Sequence, residues 1–361
     1  MRIFITGGTG FIGRYFVHDL LAMGHEVVAY DLYPFEDGVP EIDVSKVTYI
    51  RGDIRNKEHM AQSMKGCDAV LHLAAAHHDF GISEATFKNV NVEGAKSLCE
   101  AMDQNGISNL CFYSSVAIYG VATPPVDEDS PTNATSHYGT TKRDAEKVFR
   151  AWIEAGGNDP TKRRCFTMRP TVTFGMGNFA NMFTLIKQIE TGRYLPVGAG
   201  ENIKSLSFVE NIVDAVLTLW IKKGPDQSSA YSAYNYVCQP DLSSGQISKI
   251  IYESLGKKPP GFSVPYWLAR VLALPFDLVI AVTGKNLPVS GARIKKMAKS
   301  RTQYESKRIR EAGFEQKTSL EDGIKKMVRW YLESGKEEAA KGVKRRLPPE
   351  TPAAPESSST R

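Results

Sequence analysis

One stretch, Arg2-Ile3-Phe4-Ile5-Thr6-Gly7-Gly8-Thr9-Gly10-Phe11-Ile12-Gly13, constrains this chain more than any other. A short apolar run passes into a glycine-rich loop, and a helical pattern follows through Met23. Val27-Val28-Ala29-Tyr30-Asp31 then reads as a second strand with an acid at its end. Glycines let the backbone approach a pyrophosphate closely, and a helix N-terminus favours its negative charge. Asp31, 18 residues after Gly13, is placed to accept hydrogen bonds from adenosine ribose hydroxyls. It would repel a 2′-phosphate, so NAD is favoured over NADP.

The alternation continues with strand-like Val47–Ile50, Ala69–Ala75, Asn109–Ser114 and Cys165–Pro170, and a helical pattern over Asn89–Gln104. Strands alternating with helices predict an α/β fold, a Rossmann-type doubly wound parallel sheet. After Gly175 loops and helices dominate, although Tyr234-Asn235-Tyr236-Val237 returns as a strand. The expected organisation is an NAD-binding domain over 1–174, to which 206–238 returns. A smaller, mostly helical C-terminal substrate lobe would take 175–205 and 239–335. The charged, then Pro/Ser/Thr-rich 336–361 reads as a disordered tail.

Tyr138 and Lys142 are four residues apart and share one face of a helix. A phenol has an ordinary pKa of about 10, so service as a base near pH 7 requires about 4 kcal/mol of stabilisation of its anion. A fixed positive charge about 5 Å away supplies roughly 3 kcal/mol at an effective dielectric near 20. An oxidised nicotinamide would add a second positive charge. The expectation is a Tyr138 pKa lowered by Lys142 and the cofactor together. The pattern alone recurs by chance on amphipathic helices, and its weight comes from the glycine loop and Asp31.

Hydrophobic residues at 42% and charged residues at 24% are ordinary for a globular protein, and a net charge of +5 is too small to argue for nucleic acid. The five cysteines are odd in number and include no Cys-x-x-Cys pair, which argues against a disulfide framework or zinc site and fits a reducing compartment. The chain opens directly on its first strand, and no signal peptide is expected. The adjacent His77 and His78 lack further partners at metal spacing, so no metal is expected. Val264–Thr283 is strongly apolar but holds Arg270, Pro275 and Asp277, which a membrane span tolerates poorly. Nine lysines and arginines against one acid follow between Lys285 and Arg310. An apolar stretch beside a basic one is either a core helix and a solvated helix, or a contact with an anionic membrane surface.

The glycine loop, the Tyr138/Lys142 pair and the length resemble the extended short-chain dehydrogenase/reductases of the nucleotide-sugar epimerase/dehydratase type, over roughly residues 1–332. Tyr113-Ser114-Ser115-Val116-Ala117-Ile118-Tyr119-Gly120 resembles that family's strand-end motif, Asn91-Val92-Glu93-Gly94 its helix start, and Arg169-Pro170-Thr171 the segment beside the nicotinamide. The resemblance implies Ser115, Tyr138 and Lys142 as the catalytic group. It implies a cofactor site of Gly7, Gly10, Phe11, Ile12, Gly13, Asp31, Asp53, Ile54, Leu73, Ala74, Ala75, Tyr138, Lys142 and Pro170. Asp53 and Ile54 would frame the adenine. His77, Ser115, Asn178 and Lys204 are candidate substrate contacts. Arg169 would either meet a phosphate or be paired at its strand end.

A narrower likeness, through His77, Asp79, Arg169–Gly175, Val197–Gly200, Lys204-Ser205, Tyr234–Val237 and Thr283-Gly284-Lys285, is to a subgroup of surface-polysaccharide pathways. Its substrates include N-acetylhexosamines carried by diphosphate on undecaprenol. The chain departs from that subgroup at Ala76, His78, Met176, Gly177 and Phe179. The implied activity is an NAD-dependent sugar 4-epimerase acting on undecaprenyl-diphosphate- or UDP-linked GlcNAc/GalNAc. The alternative is an NAD(P)-dependent oxidoreductase of a nucleotide sugar or a 3β-hydroxysteroid-like alcohol, whose relatives share motifs like Gly313-Phe314 and Ser319–Gly323. A 4,6-dehydratase would need acids where Val116 and Ala117 stand. The implied setting is cytoplasmic, with 264–310 as a peripheral membrane contact and a homodimer as a candidate assembly.

Overall fold

The computed structural model describes residues 1–77, 81–223, 229–283, 290–291, 294, 302–342 and 347–353. His78, Asp79, Gly284, Lys285 and the basic residues 293, 295, 296, 299 and 301 lie outside them.

Glycine chemistry sets the first turn of the fold. β1 (Arg2–Thr6) leads into α1 (Phe11–Ala22) and β2 (Glu26–Asp31). Gly7 has φ +74°, and a Cβ there would lie 2.7 Å from the Ala74 nitrogen. At Gly13 a Cβ would come within 2.3 Å of the Gly7 oxygen, so only glycine lets α1 pack against the loop that precedes it.

The chain continues through β3 (Val47–Arg51), α2 (Lys57–Ser63), β4 (Ala69–His72) and α3 (Glu84–Lys88). A single π-helical turn, Asn89–Glu93, joins α3 to α4 (Gly94–Gln104). β5 (Asn109–Tyr113), a 3₁₀ turn Val116–Tyr119, α5 (His137–Ala155) and β6 (Arg164–Pro170) follow. After β7 (Val172–Phe174), α6 (Asn181–Glu190), β8 (Ile203–Lys204), β9 (Leu206–Phe208) and α7 (Val209–Val216), β10 (Tyr231–Tyr236) joins the main sheet beside β6.

That sheet has seven strands in the order β10-β6-β5-β4-β1-β2-β3, and every neighbouring pair in it is parallel. It is the doubly wound α/β sheet expected from the alternation. The strand order reverses between β1 and β4, so their carboxyl ends splay into a crevice, where such sheets bind ligands. Two buried cores flank the sheet. One packs Phe16, Leu20, Ile212 and Met327, and the other Phe4, Leu98, Phe112 and Phe149.

β11 (Leu242–Ser243) pairs antiparallel with β8, and α8 (Ser244–Ser254) starts with a capping box of Ser243 and Gln246. α9 (Tyr266–Thr283) is followed by shorter helices at Lys307–Glu311 and Leu320–Trp330. The stretch read as a tail begins with a helical turn, Lys336–Ala340. Further on, Leu347–Ala353 lies against the ends of β2 and β3, held by main-chain hydrogen bonds to Tyr33, Arg55 and Asp53. Composition gives no sign of this, because the contacts are made by backbone rather than by apolar side chains.

Candidate active site

The carboxyl ends of β1, β2, β3 and β4 enclose a cleft of about 300 Å³. Gly7, Gly10 and Phe11 form its floor at the start of α1, Asp31 closes one side, and Asp53 and Ile54 another. Leu73, Ala74, Ala75 and His77 line the wall after β4. Ten of the residues singled out in the sequence therefore meet in one crevice. The carboxylate of Asp31 accepts from the main-chain nitrogens of Thr9 (3.2 Å) and Tyr33 (3.3 Å), which tie the glycine loop to the end of β2. Ile12 packs on the core beneath, and Gly13 supports Gly7 from below. A floor in which Gly7 and Gly10 leave the backbone open, beside a carboxylate at the strand end, fits a dinucleotide.

The wall after β4 is held from behind. Asn91, in the π-helical turn, accepts from the Ala76 nitrogen (2.8 Å) and donates to the Ala76 oxygen (3.0 Å) and to the Thr141 hydroxyl (2.9 Å). One buried amide thus couples the cleft wall to α5.

The second group sits at the end of β5. Ser115 is extended, and its hydroxyl accepts from the Ala117 nitrogen (3.1 Å) at the start of the 3₁₀ turn. It also lies close enough to the phenol of Tyr138, in the first turn of α5, to favour the phenolate. Ser136 caps that helix by accepting from the Gly139 nitrogen (3.0 Å). Lys142, one turn on and only 3% exposed, donates from Nζ to the Tyr113 carbonyl (2.7 Å) and lies 4.8 Å above the Phe112 ring. Val116 and Ala117, apolar, follow the serine.

The electrostatics of the protein alone set the starting point from which a bound cofactor would act. Burial pushes the Tyr138 phenol up to about 12, opposed only by the nearby Ser115 side chain. Burial also lowers Lys142 to about 7, against the pull of the Glu146 carboxylate. In the protein alone the phenol is therefore raised rather than lowered. Desolvation, which spacing along a helix cannot reveal, dominates at Tyr138 and also disfavours the charged form of Lys142.

Beneath this group runs a buried polar network. Arg169 Nε and Nη2 grip Glu146 at 2.9 and 2.6 Å, and Nη1 donates to the Tyr119 hydroxyl at 2.8 Å. Tyr119 in turn donates to Asn235 (2.8 Å), and Ser114 donates to Glu146 (2.6 Å). Arg169 is thus the paired strand-end arginine and not a free phosphate ligand. Pro170, the last residue of β6, is buried beside Tyr236.

Two substrate candidates lie away from the dinucleotide cleft. Asn178 donates to the Thr173 oxygen (3.1 Å) and accepts from the Ala180 nitrogen (2.8 Å), shaping its own loop. Lys204 lies in β8, bridged to Thr302. Neither lines the dinucleotide cleft. Sequence reasoning missed Tyr33, Arg55, Glu146 and Pro348. Only Glu146 carried a readable signal, four residues beyond Lys142 on the same helix face.

The parallel sheet, the glycine loop at its switch point and the acid at the end of β2 place the chain in a class, the Rossmann-fold enzymes that use a dinucleotide. More narrowly, the chain belongs to the NAD dependent epimerase/dehydratase family, whose model matches residues 3–235. It is an enzyme whose cofactor is NAD. Over 287 residues it is 36% identical to the N-acetyl-alpha-D-glucosaminyl-diphospho-ditrans,octacis-undecaprenol 4-epimerase of Escherichia coli O157:H7, a match covering 80% of this chain and 84% of that one. It is 27% identical to the mouse (Mus musculus) sterol-4-alpha-carboxylate 3-dehydrogenase, decarboxylating, over 77% of this chain and 75% of the relative. Among solved structures, the fold matches dTDP-glucose 4,6-dehydratase from Streptomyces venezuelae with NAD bound at 24% identity and TM-score 0.71, covering 93% and 98% of the two chains. The UDP-glucose 4-epimerase of Thermotoga maritima matches at 22% identity and TM-score 0.70, covering 92% and 99%.

Proposed function

We propose that this enzyme is a sugar 4-epimerase acting on an N-acetylhexosamine joined through diphosphate to a polyprenol. The observation that carries the chemistry is Ser115 beside the Tyr138 phenol, with Lys142 one turn on and Val116 and Ala117 where an eliminating enzyme needs acids. Such a site moves a proton from a hydroxyl and has no group to expel water. NAD, held by the glycine loop and Asp31, would supply oxidation and re-reduction at the same carbon. Tyr138 takes the proton from the C4 hydroxyl and returns it after the sugar has turned its other face. Ser115 donates to the reacting oxygen and orients it. Lys142 lies one turn from the phenol, and its protonated form stabilises the phenolate.

The carrier is argued from α9. Its charged residues turn inward, with Asp277 accepting from the Gly291 nitrogen (2.9 Å) and Arg270 reaching the same glycine. Its apolar residues turn outward, with Trp267, Leu272, Leu278 and Val282 each at least 60% exposed. Among the described residues no helix is long and apolar enough to cross a membrane. An outward apolar face beside the basic stretch suits a helix lying in the interface of an anionic bilayer, where a polyprenyl substrate resides. The identity with the undecaprenol-linked 4-epimerase supports the same carrier.

The test presents N-acetylglucosamine on undecaprenyl diphosphate and on UDP separately, reading the C4 epimer and the NADH absorbance. Epimer from the polyprenyl substrate with no sustained NADH is expected. Sustained NADH formation would sink the epimerase reading in favour of a net oxidoreductase. Epimer from UDP-linked sugar alone would remove the polyprenyl carrier.

A further inference from the structure

Leu347–Ala353 crosses the outer end of the cleft. The Tyr33 phenol donates to the Leu347 carbonyl (2.8 Å). Arg55 donates to the carbonyls of Pro349 (3.0 Å), Glu350 (3.1 Å) and Thr351 (3.2 Å). Pro348 forms part of the cleft wall, and the Ala353 nitrogen donates to Asp53 Oδ2 (3.1 Å).

Asp53 is 3% exposed, so every donor to it comes from neighbours within reach. Its Oδ1 accepts from the Arg55 nitrogen (3.0 Å) and Nε (2.9 Å). Its Oδ2 accepts from Arg55 Nη2 (2.6 Å) and from Ala353 (3.1 Å). A carboxylate offers about four lone-pair sites, and here all are taken. Three of the donors belong to Arg55, two residues away. The fourth is the only one contributed by a distant part of the chain.

We propose that Leu347–Ala353 is an internal competitor for the adenine end of the dinucleotide site. The segment and the adenosine half of the cofactor exclude one another at Asp53. The proposal rests on reading this end of the cleft as the adenine subsite. An adenine amino group needs an acceptor, and Asp53 has one to give only when Ala353 leaves. The clasp consists of hydrogen bonds between main-chain atoms of the segment and three side chains, with no covalent link, so it is reversible. Its effect is a reduced apparent affinity, set by the fraction of molecules with the segment displaced.

The experiment uses two variants. In one, the chain is ended after Arg346, which removes the segment and all its main-chain partners. In the other, full-length, Ala353→Pro removes only the N–H that Asp53 accepts. Calorimetry measures ADP-ribose, which carries the adenine end, and nicotinamide mononucleotide, which lacks it. ADP-ribose is expected to bind about three- to tenfold more tightly to the shortened variant. Ala353→Pro should give a smaller change in the same direction, with nicotinamide mononucleotide unchanged in both. Equal or weaker ADP-ribose binding by the shortened variant overturns the proposal and makes the segment a wall of the site. Binding of ADP-ribose to none of the three proteins overturns the subsite reading itself, and the proposal with it.

Discussion

Helices α5 and α9 are 19 and 18 residues long and treat their side chains in opposite ways. α5 buries Gly139, Thr141, Lys142, Ala145, Glu146 and Phe149 and leaves its other polar residues partly or fully exposed. Even the charges it buries are satisfied, Lys142 by a carbonyl and Glu146 by Arg169 and Ser114. α9 buries little more than Ala269 and Ala273 and holds its large apolar residues outward. The chain meets every demand of α5 by itself. α9 makes a demand that these residues do not meet, so its orientation is explained by its surroundings rather than by its own packing. On the proposed reading, the chemistry belongs to the self-sufficient helix and a membrane contact to the other.

The sharpest way to break the contrast is on α5. Tyr138→Phe should leave the melting temperature unchanged while lowering kcat about a thousandfold or more, since a positioned acid–base group contributes about 10²–10⁴. Steady-state epimer formation beside a thermal melt checks both halves. If turnover persists, α5 is only a structural helix.

Stability gives the next largest contrast. Glu146→Ala strands the buried Arg169 guanidinium and should cost about 3–5 kcal/mol in denaturant unfolding. Leu272→Glu on α9 should cost under about 0.5 kcal/mol, because its side chain is already outside. The same variant should weaken binding to anionic vesicles about tenfold or more, as buried apolar area at the interface is lost. A large loss of stability with unaltered vesicle binding would show that α9 packs against protein.

The smallest effect is a slope with pH. Lys142 has a folded pKa of about 7 against an ordinary 10.5. Between those values the unfolded chain binds more protons, so this group's contribution to stability rises with pH and is lost as pH falls toward 7. The unfolding free energy of the wild type relative to Lys142→Met should climb across that window, approaching about 1.4 kcal/mol per pH unit at most. A flat difference would mean that Lys142 stays charged and solvated.

What was legible in the sequence follows the same division. The glycine loop, Asp31 and the strand alternation are local signals, and they pointed to the sheet and to the glycine-loop end of the cleft; Asp53, Ile54, Leu73, Ala74, Ala75 and His77 came only with the family resemblance. Ser115, Tyr138 and Lys142 were readable as motifs, but the direction of the Tyr138 shift was not, because burial belongs to the folded chain. The pairing of Arg169 with Glu146 joins residues 23 apart and settled what the motif left open. The hold of Arg55 and Asp53 on Leu347–Ala353 spans almost the whole chain and uses main-chain atoms, which leave no mark on composition. The outward face of α9 was visible only as an apolar stretch; that its two charges point inward required the structure.

The orientation of α9 also bears on how the enzyme meets its substrate. Anchored by that face, it would search for a lipid-linked sugar by lateral diffusion in a plane, not by collision in a volume. Encounter frequency would then depend on the number of molecules per area of leaflet. The cell could govern flux through the extent and charge of its membrane, with no change in any residue around Tyr138.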